Sequence, residues 1–171
     1  ADGTPYDPAA IQPAATQDAV MLASKTAGNE IVLTRTFMAR REEVCAAMTQ
    51  PVHLLQWMKT ADMAFVACDV DLRVGGSFRY VCQRSSGTKI EVRGAVRAVD
   101  APRQWAYTET YNFSPLKIEV TTLLDEAGVK TVFKQTLLYA SQAERDGDFD
   151  GVVTSAAEAF DNLHRYLVSR R

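Results

Sequence analysis

Apolar and polar residues alternate most clearly between Ala64 and Arg84. Val66, Cys68, Val70 and Leu72 alternate with Ala67, Asp69, Asp71 and Arg73. Further on, Phe78, Tyr80 and Cys82 alternate with Ser77, Arg79 and Gln83. A period of two sends successive side chains to opposite faces of a strand, one buried and one wet. Gly75-Gly76 lies between the runs and supplies the positive φ angles of a tight turn, so the stretch predicts a hairpin.

The same pattern extends in both directions. Residues 30–37 read as a first strand, with Ile31, Leu33 and Arg35 on one side. Residues 39–49 carry Val44, Ala47 and Met48 at helical spacing, and Pro51 opens a second short helical piece ending at Trp57. After the hairpin, residues 89–100 predict a long strand with Ile90, Val92, Gly94, Val96 and Ala98 inward. Residues 104–113 place Trp105, Tyr107, Glu109 and Tyr111 on one face. Residues 116–124 turn Ile118, Val120, Thr122 and Leu124 inward, and residues 125–128 read as a turn. In residues 130–139 the wet positions Lys130 and Lys134 leave Phe133, Gln135 and Leu137 inside. Ser141 with Glu144 marks a helix start, and Gly147 to Asp150 is a weak point. From there Val152, Ala156, Ala159, Phe160, Leu163 and Leu167 form one apolar stripe to the C-terminus.

The order strand, two short helices, six strands, long helix predicts an α+β fold, a curved antiparallel sheet of seven strands around the last helix. Residues 1–29 hold Pro5, Pro8 and Pro13 and read as an irregular extension, with a short helix over residues 16–25; residues 30–171 read as a single domain. The chain begins at Ala1, so a trimmed chain and a processed leader both stay open.

Composition narrows the partners. A net charge of −2 without a long basic run argues against nucleic acid and anionic membranes. No apolar run is long enough to span a bilayer. Cys45, Cys68 and Cys82 sit in apolar patterns without metal-ligand spacing, which reads as buried thiols in a reducing cytoplasm. His53 and His164 are the only histidines, too few for a metal cluster, and no nucleophile elbow, phosphate loop or dinucleotide fingerprint is present. No metal and no cofactor is expected. The inward faces are apolar and aromatic, with Glu109, Thr122 and Gln135 as polar exceptions, a pattern that suits a small-molecule pocket or a filled core with internally bonded polar groups.

Particular strings carry a family resemblance: Thr34-Arg35-Thr36-Phe37, Pro51-Val52-His53-Leu54-Leu55-Gln56-Trp57, and Asp71-Leu72-Arg73-Val74-Gly75-Gly76-Ser77-Phe78. Arg93-Gly94, Tyr107-Thr108-Glu109 and the segment from Phe160 to Leu167 add to them. Over residues 30–167 the chain resembles the helix-grip superfamily SRPBCC, which holds START domains, polyketide cyclases and the birch pollen allergen. Within it the chain is most similar to homologues of the C-terminal domain of the heat-shock-protein ATPase activator. The chain departs from these relatives at Met58-Lys59-Thr60, where they carry a second tryptophan, and that lip of the cavity is expected to be more flexible.

The resemblance implies an internal cavity under the last helix. Its expected lining is Trp57, Met63, Phe78, Tyr80, Cys82, Val92, Trp105, Tyr107, Glu109, Val120, Thr122, Phe133, Gln135 and Phe160. The expected partner is a small hydrophobic or aromatic molecule, and a homodimer is compatible with the sequence. An alternative is a cyclase, lyase or hydrolase with Glu109 or Tyr107 moving a proton; Cys82 is a poor nucleophile because an apolar face raises its pKa. Glu109 points inward if Trp105 and Tyr107 do. The blander reading, which we favour from sequence, leaves it wet or paired with an arginine. A third reading is a chaperone-activator-like interaction module. Its sheet surface carries Glu91, Arg93, Arg97, Lys117, Glu119, Lys130 and Lys134, so that interface is electrostatic rather than hydrophobic.

Overall fold

The alternating runs become strands. The computed structural model describes residues 20–171: β1 (Leu22–Lys25), β2 (Glu30–Phe37), α1 (Arg41–Thr49), α2 (Pro51–Trp57), β3 (Met63–Val70), β4 (Ser77–Arg84), β5 (Lys89–Asp100), β6 (Gln104–Tyr111), β7 (Lys117–Ala127), β8 (Lys130–Leu138) and α3 (Gln142–Ser169). All strands join one curved antiparallel sheet in the order β1-β2-β8-β7-β6-β5-β4-β3. The expected α+β architecture is therefore present, with eight strands rather than seven.

The additional strand corrects the expected helix over residues 16–25. Leu22–Lys25 pairs with β2, and its residues alternate as a strand does. Met21 and Ala23 pack on the core, while Leu22 between them faces water. Residues 16–19 lie outside the described residues, as does most of the expected lead-in.

Two β-bulges re-aim side chains. A register shift between Phe65 and Ala67 turns Phe65 inward and leaves Val66, expected inside, 53% exposed. Another between Val96 and Ala98 puts Ala98 outside and Val99 half inside. A bulge adds one residue to one strand and so reverses the alternation beyond it.

The turns differ in size from expectation. Strand β7 runs through Ala127, leaving only Gly128-Val129 to reverse the chain, with Gly128 at φ 67°. The β3–β4 connection is longer and spans residues 71–76. Gly75 there adopts φ 80°, and a Cβ on Gly76 would lie 2.2 Å from the Asp71 carbonyl oxygen. Helix α3 passes Gly147 to Asp150 without a break. Ser141 Oγ accepts the Glu144 amide at 3.1 Å, and Tyr139 Oη donates to Asp148 Oδ2 at 2.6 Å, so the glycine-bearing turn is held from both sides.

The core lies under β2, β8, β7 and the C-terminal half of α3. Phe37, Phe133 and Phe160 meet edge to face, with centroids 5.9, 6.3 and 4.8 Å apart. Ile31, Leu33, Ile118, Leu124, Val44, Leu54 and Leu163 close around them. Trp57 joins this core and donates its Nε1–H to the Ala47 carbonyl at 2.8 Å. Arg35, on the same face of β2, is buried and reaches Asp161 of α3 at 2.5 Å.

Candidate functional site

The inward face of β3 to β6 is built differently. Phe65, Cys68, Val70, Tyr80, Cys82, Val92, Tyr107, Glu109 and Tyr111 point to the concave side yet remain partly exposed. The first half of α3 is less deeply buried than the second: Phe149, Val152 and Ala156 pack on the core while staying partly exposed, and Asp148 acts on Glu109 through its charge. Gly94 and Phe78 keep the floor low. A Cβ on Gly94 would sit 1.9 Å from the Phe78 ring, so Phe78 lies flat over this glycine instead of standing up into the space. Its ring stacks on Tyr80 at 4.9 Å and meets Tyr107 edge-on at 4.8 Å. Phe65 completes the wall against Tyr80 at 6.3 Å.

Glu109 is the carboxyl group of this concave face, which corrects the reading that favoured a wet or arginine-paired carboxylate. β6 keeps its alternation without a bulge from Gln104 to Thr110, so Trp105, Tyr107 and Glu109 share a face. Tyr111 Oη donates to Glu109 Oε1 at 2.5 Å. No ion pair reaches Glu109 among the described residues. Burial raises its pKa and the charge of Asp148 adds to this, while the Tyr111 hydrogen bond opposes them. Tyr107, Tyr80, Tyr111 and Tyr139 are all pushed up, chiefly by burial, and stay neutral hydroxyls. The hydroxyls of Tyr80 and Tyr107 and the second oxygen of Glu109 have no hydrogen-bond partner among the described residues.

The expected lining residues thus divide. Phe78, Tyr80, Cys82, Val92, Tyr107 and Glu109 come together on the concave face of β4 to β6. Trp57, Trp105, Val120, Thr122, Phe133 and Phe160 lie in the packed part, and Gln135 Nε2 donates to Thr122 Oγ1 at 3.1 Å, a polar pair satisfied internally. Phe78 does not interlock with Phe133 and Phe160 but belongs to a separate aromatic cluster. Met63 lines a surface hollow of about 600 Å³ with Leu55, Lys59 and Phe65. That hollow is wide open, and its contact with the cleft is Phe65. The outer sheet face holds another, of about 640 Å³, between Arg79, Arg93, Arg97 and Lys117.

Sequence reading missed Phe65, Asp148 and Tyr139. The bulge that turns Phe65 inward leaves no local signal. Asp148 was readable, since it stands four residues before Val152 and eight before Ala156, on one helical face. Cys45 is buried, Cys68 and Cys82 are half-buried, and all three are free thiols raised in pKa chiefly by burial. No group of three His, Cys, Asp or Glu side chains suited to a metal occurs among the described residues. No helix among them is long and apolar enough to cross a membrane.

Solved structures share this architecture. A protein of Rhodobacter sphaeroides superposes with a TM-score of 0.83 at 22% identity, covering 88% of this chain and 99% of its own. A Staphylococcus epidermidis protein matches with a TM-score of 0.75 at 24% identity over 88% of this chain and 96% of its own. An AHSA1-like protein of Aeromonas hydrophila gives 0.60 at 19% over 81% and 93%. At these identities the likeness shows the fold alone. No curated protein matches the chain. The model of one family matches residues 38–168, and the chain accordingly belongs to the Activator of Hsp90 ATPase homolog 1-like family.

Proposed function

We propose that this protein binds a small apolar or aromatic molecule in the cleft between the inner face of β3 to β6 and the first half of α3. One observation carries the reading: Tyr80, Tyr107 and Tyr111 on the concave side stay partly exposed, while Phe37, Phe133 and Phe160 in the neighbouring half are buried. Truncating a packed core side chain costs about 2–5 kcal/mol, so leaving several aromatic faces unfilled is a substantial sacrifice in a molecule of ordinary stability. An apolar wall with a few convergent polar atoms is the usual make-up of a small-molecule site.

Native mass spectrometry of the purified protein should reveal a co-purified small molecule. Titration with a neutral apolar fluorophore, N-phenyl-1-naphthylamine, should show saturable binding that Val92→Trp abolishes by filling the cleft. Unchanged fluorophore binding in a folded Val92→Trp protein would place the site elsewhere.

The inward position of Glu109 supports a second reading. A carboxyl with a raised pKa inside a cleft suits proton transfer on a bound substrate, with Tyr107 as hydrogen-bond donor.

A further inference from the structure

The cleft is acidic as well as aromatic. Glu109 stands in its floor with one oxygen held by Tyr111 and the other without a partner among the described residues. Asp148 approaches from α3 above and acts on Glu109 through its charge, with Tyr139 bonded to it at 2.6 Å. No basic side chain answers this pair: among the described residues neither carboxylate has an ion-pair partner. The arginines of β4 and β5 serve the opposite face of the sheet. Arg79 and Arg93 share Glu91 there, and Arg97 holds Glu119 at 2.9 Å. Over β4 to β6 the concave side thus carries a carboxyl group without an ion pair, while the convex arginines are matched by Glu91 and Glu119.

A carboxylate in a poorly hydrated site costs free energy until a counter-charge joins it. Aromatic faces beside it, those of Tyr80 and Tyr107, add attraction for a cation. An anionic head group, such as that of a fatty acid, meets two like charges and no compensating base.

We propose that the cleft selects apolar or aromatic molecules carrying a protonated amine, seated against Glu109 beside the aromatic cluster of Tyr80, Phe78 and Tyr107, and discriminates against carboxylates. This rests on the cleft being a binding site, as proposed above. It goes further by naming the charge of the ligand.

Three probes with one apolar body separate the two readings: 2-(1-naphthyl)ethylamine, 2-(1-naphthyl)ethanol and 1-naphthylacetate, titrated calorimetrically into the full chain at pH 7.5. The amine should bind at least about tenfold tighter than the alcohol, and the acetate weakest. Glu109→Gln should bring the amine down to the alcohol's affinity. Asp148→Asn should weaken the amine by about threefold, which provides an independent readout should Glu109→Gln fail to fold. Equal binding of amine and alcohol, or tighter binding of the acetate, overturns the amine selectivity and leaves the cleft as a site. Binding by none of the three overturns both.

Discussion

One face of one sheet is finished in two ways. Under β2, β8 and β7 the inward side chains are sealed, and Phe37, Phe133 and Phe160 interlock beneath the C-terminal half of α3. Under β3 to β6 the same alternation brings Phe78, Tyr80, Tyr107 and Glu109 inward, yet Tyr80, Tyr107 and Glu109 stay partly exposed. The strand pattern is equally regular in both halves. The helix differs in step: Phe160, Leu163 and Leu167 of its C-terminal half are buried, whereas Phe149, Val152 and Ala156 of its first half are only partly so. The largest sealed side chains lie in the first half, and the second is the half proposed to receive a ligand.

Mutations should expose the contrast. Phe133→Ala should cost about 3–5 kcal/mol in chemical denaturation, whereas Tyr80→Ala should cost about 1–2 because its ring is only partly surrounded. Equal losses would erase the distinction. Next comes the link between helix and sheet in the sealed half. Asp161→Asn removes the counter-charge of Arg35, whose side chain is 3% exposed. A loss of about 2–3 kcal/mol is expected, below the roughly 3–5 of a fully buried pair because Asp161 is half in water.

The smallest effect is a gain, and it belongs to the open half. The folded-state pKa of Glu109 lies above its unfolded value of about 4.3. Between these values the native state holds a proton that the unfolded chain has released, so stability falls as pH rises through that window. Glu109→Gln, which cannot ionise, should therefore melt higher than the wild type at pH 8. The gap should close near pH 4, where both forms are neutral. Thermal melts at the two pH values check it; an equal gap at both would mean that the carboxylate's charge is not the cause.

Much of the frame could be read from the sequence because alternation is a local property. Ile31, Leu33, Arg35 and Phe37 face inward as spacing requires, and so do Ile118, Val120, Thr122 and Leu124. Bulges are not local in this sense. Nothing in Phe65-Val66-Ala67 says which residue the ladder skips, so Val66 was assigned to the wrong face. Glu109 was legible from its phase with Trp105 and Tyr107; a preference for solvating a carboxylate obscured it. The division of the lining residues between core and cleft was not legible, because it depends on which turn of α3 stands over which strand.

The way α3 is fastened sets where a guest can enter. At its start the buried Arg145 binds the carbonyl oxygens of Thr26 and Gly28 at 2.8 and 2.5 Å, and further along Asp161 grips Arg35. Between these two rivets the helix is pinned along the β2 side of the sheet, and lifting it means stripping sealed guanidinium groups of their partners. Strand β3 is an outer margin of the sheet, bonded on one side only and already irregular at Phe65. Parting that margin disrupts a single ladder, so the less costly doorway runs past Phe65 rather than beneath the helix.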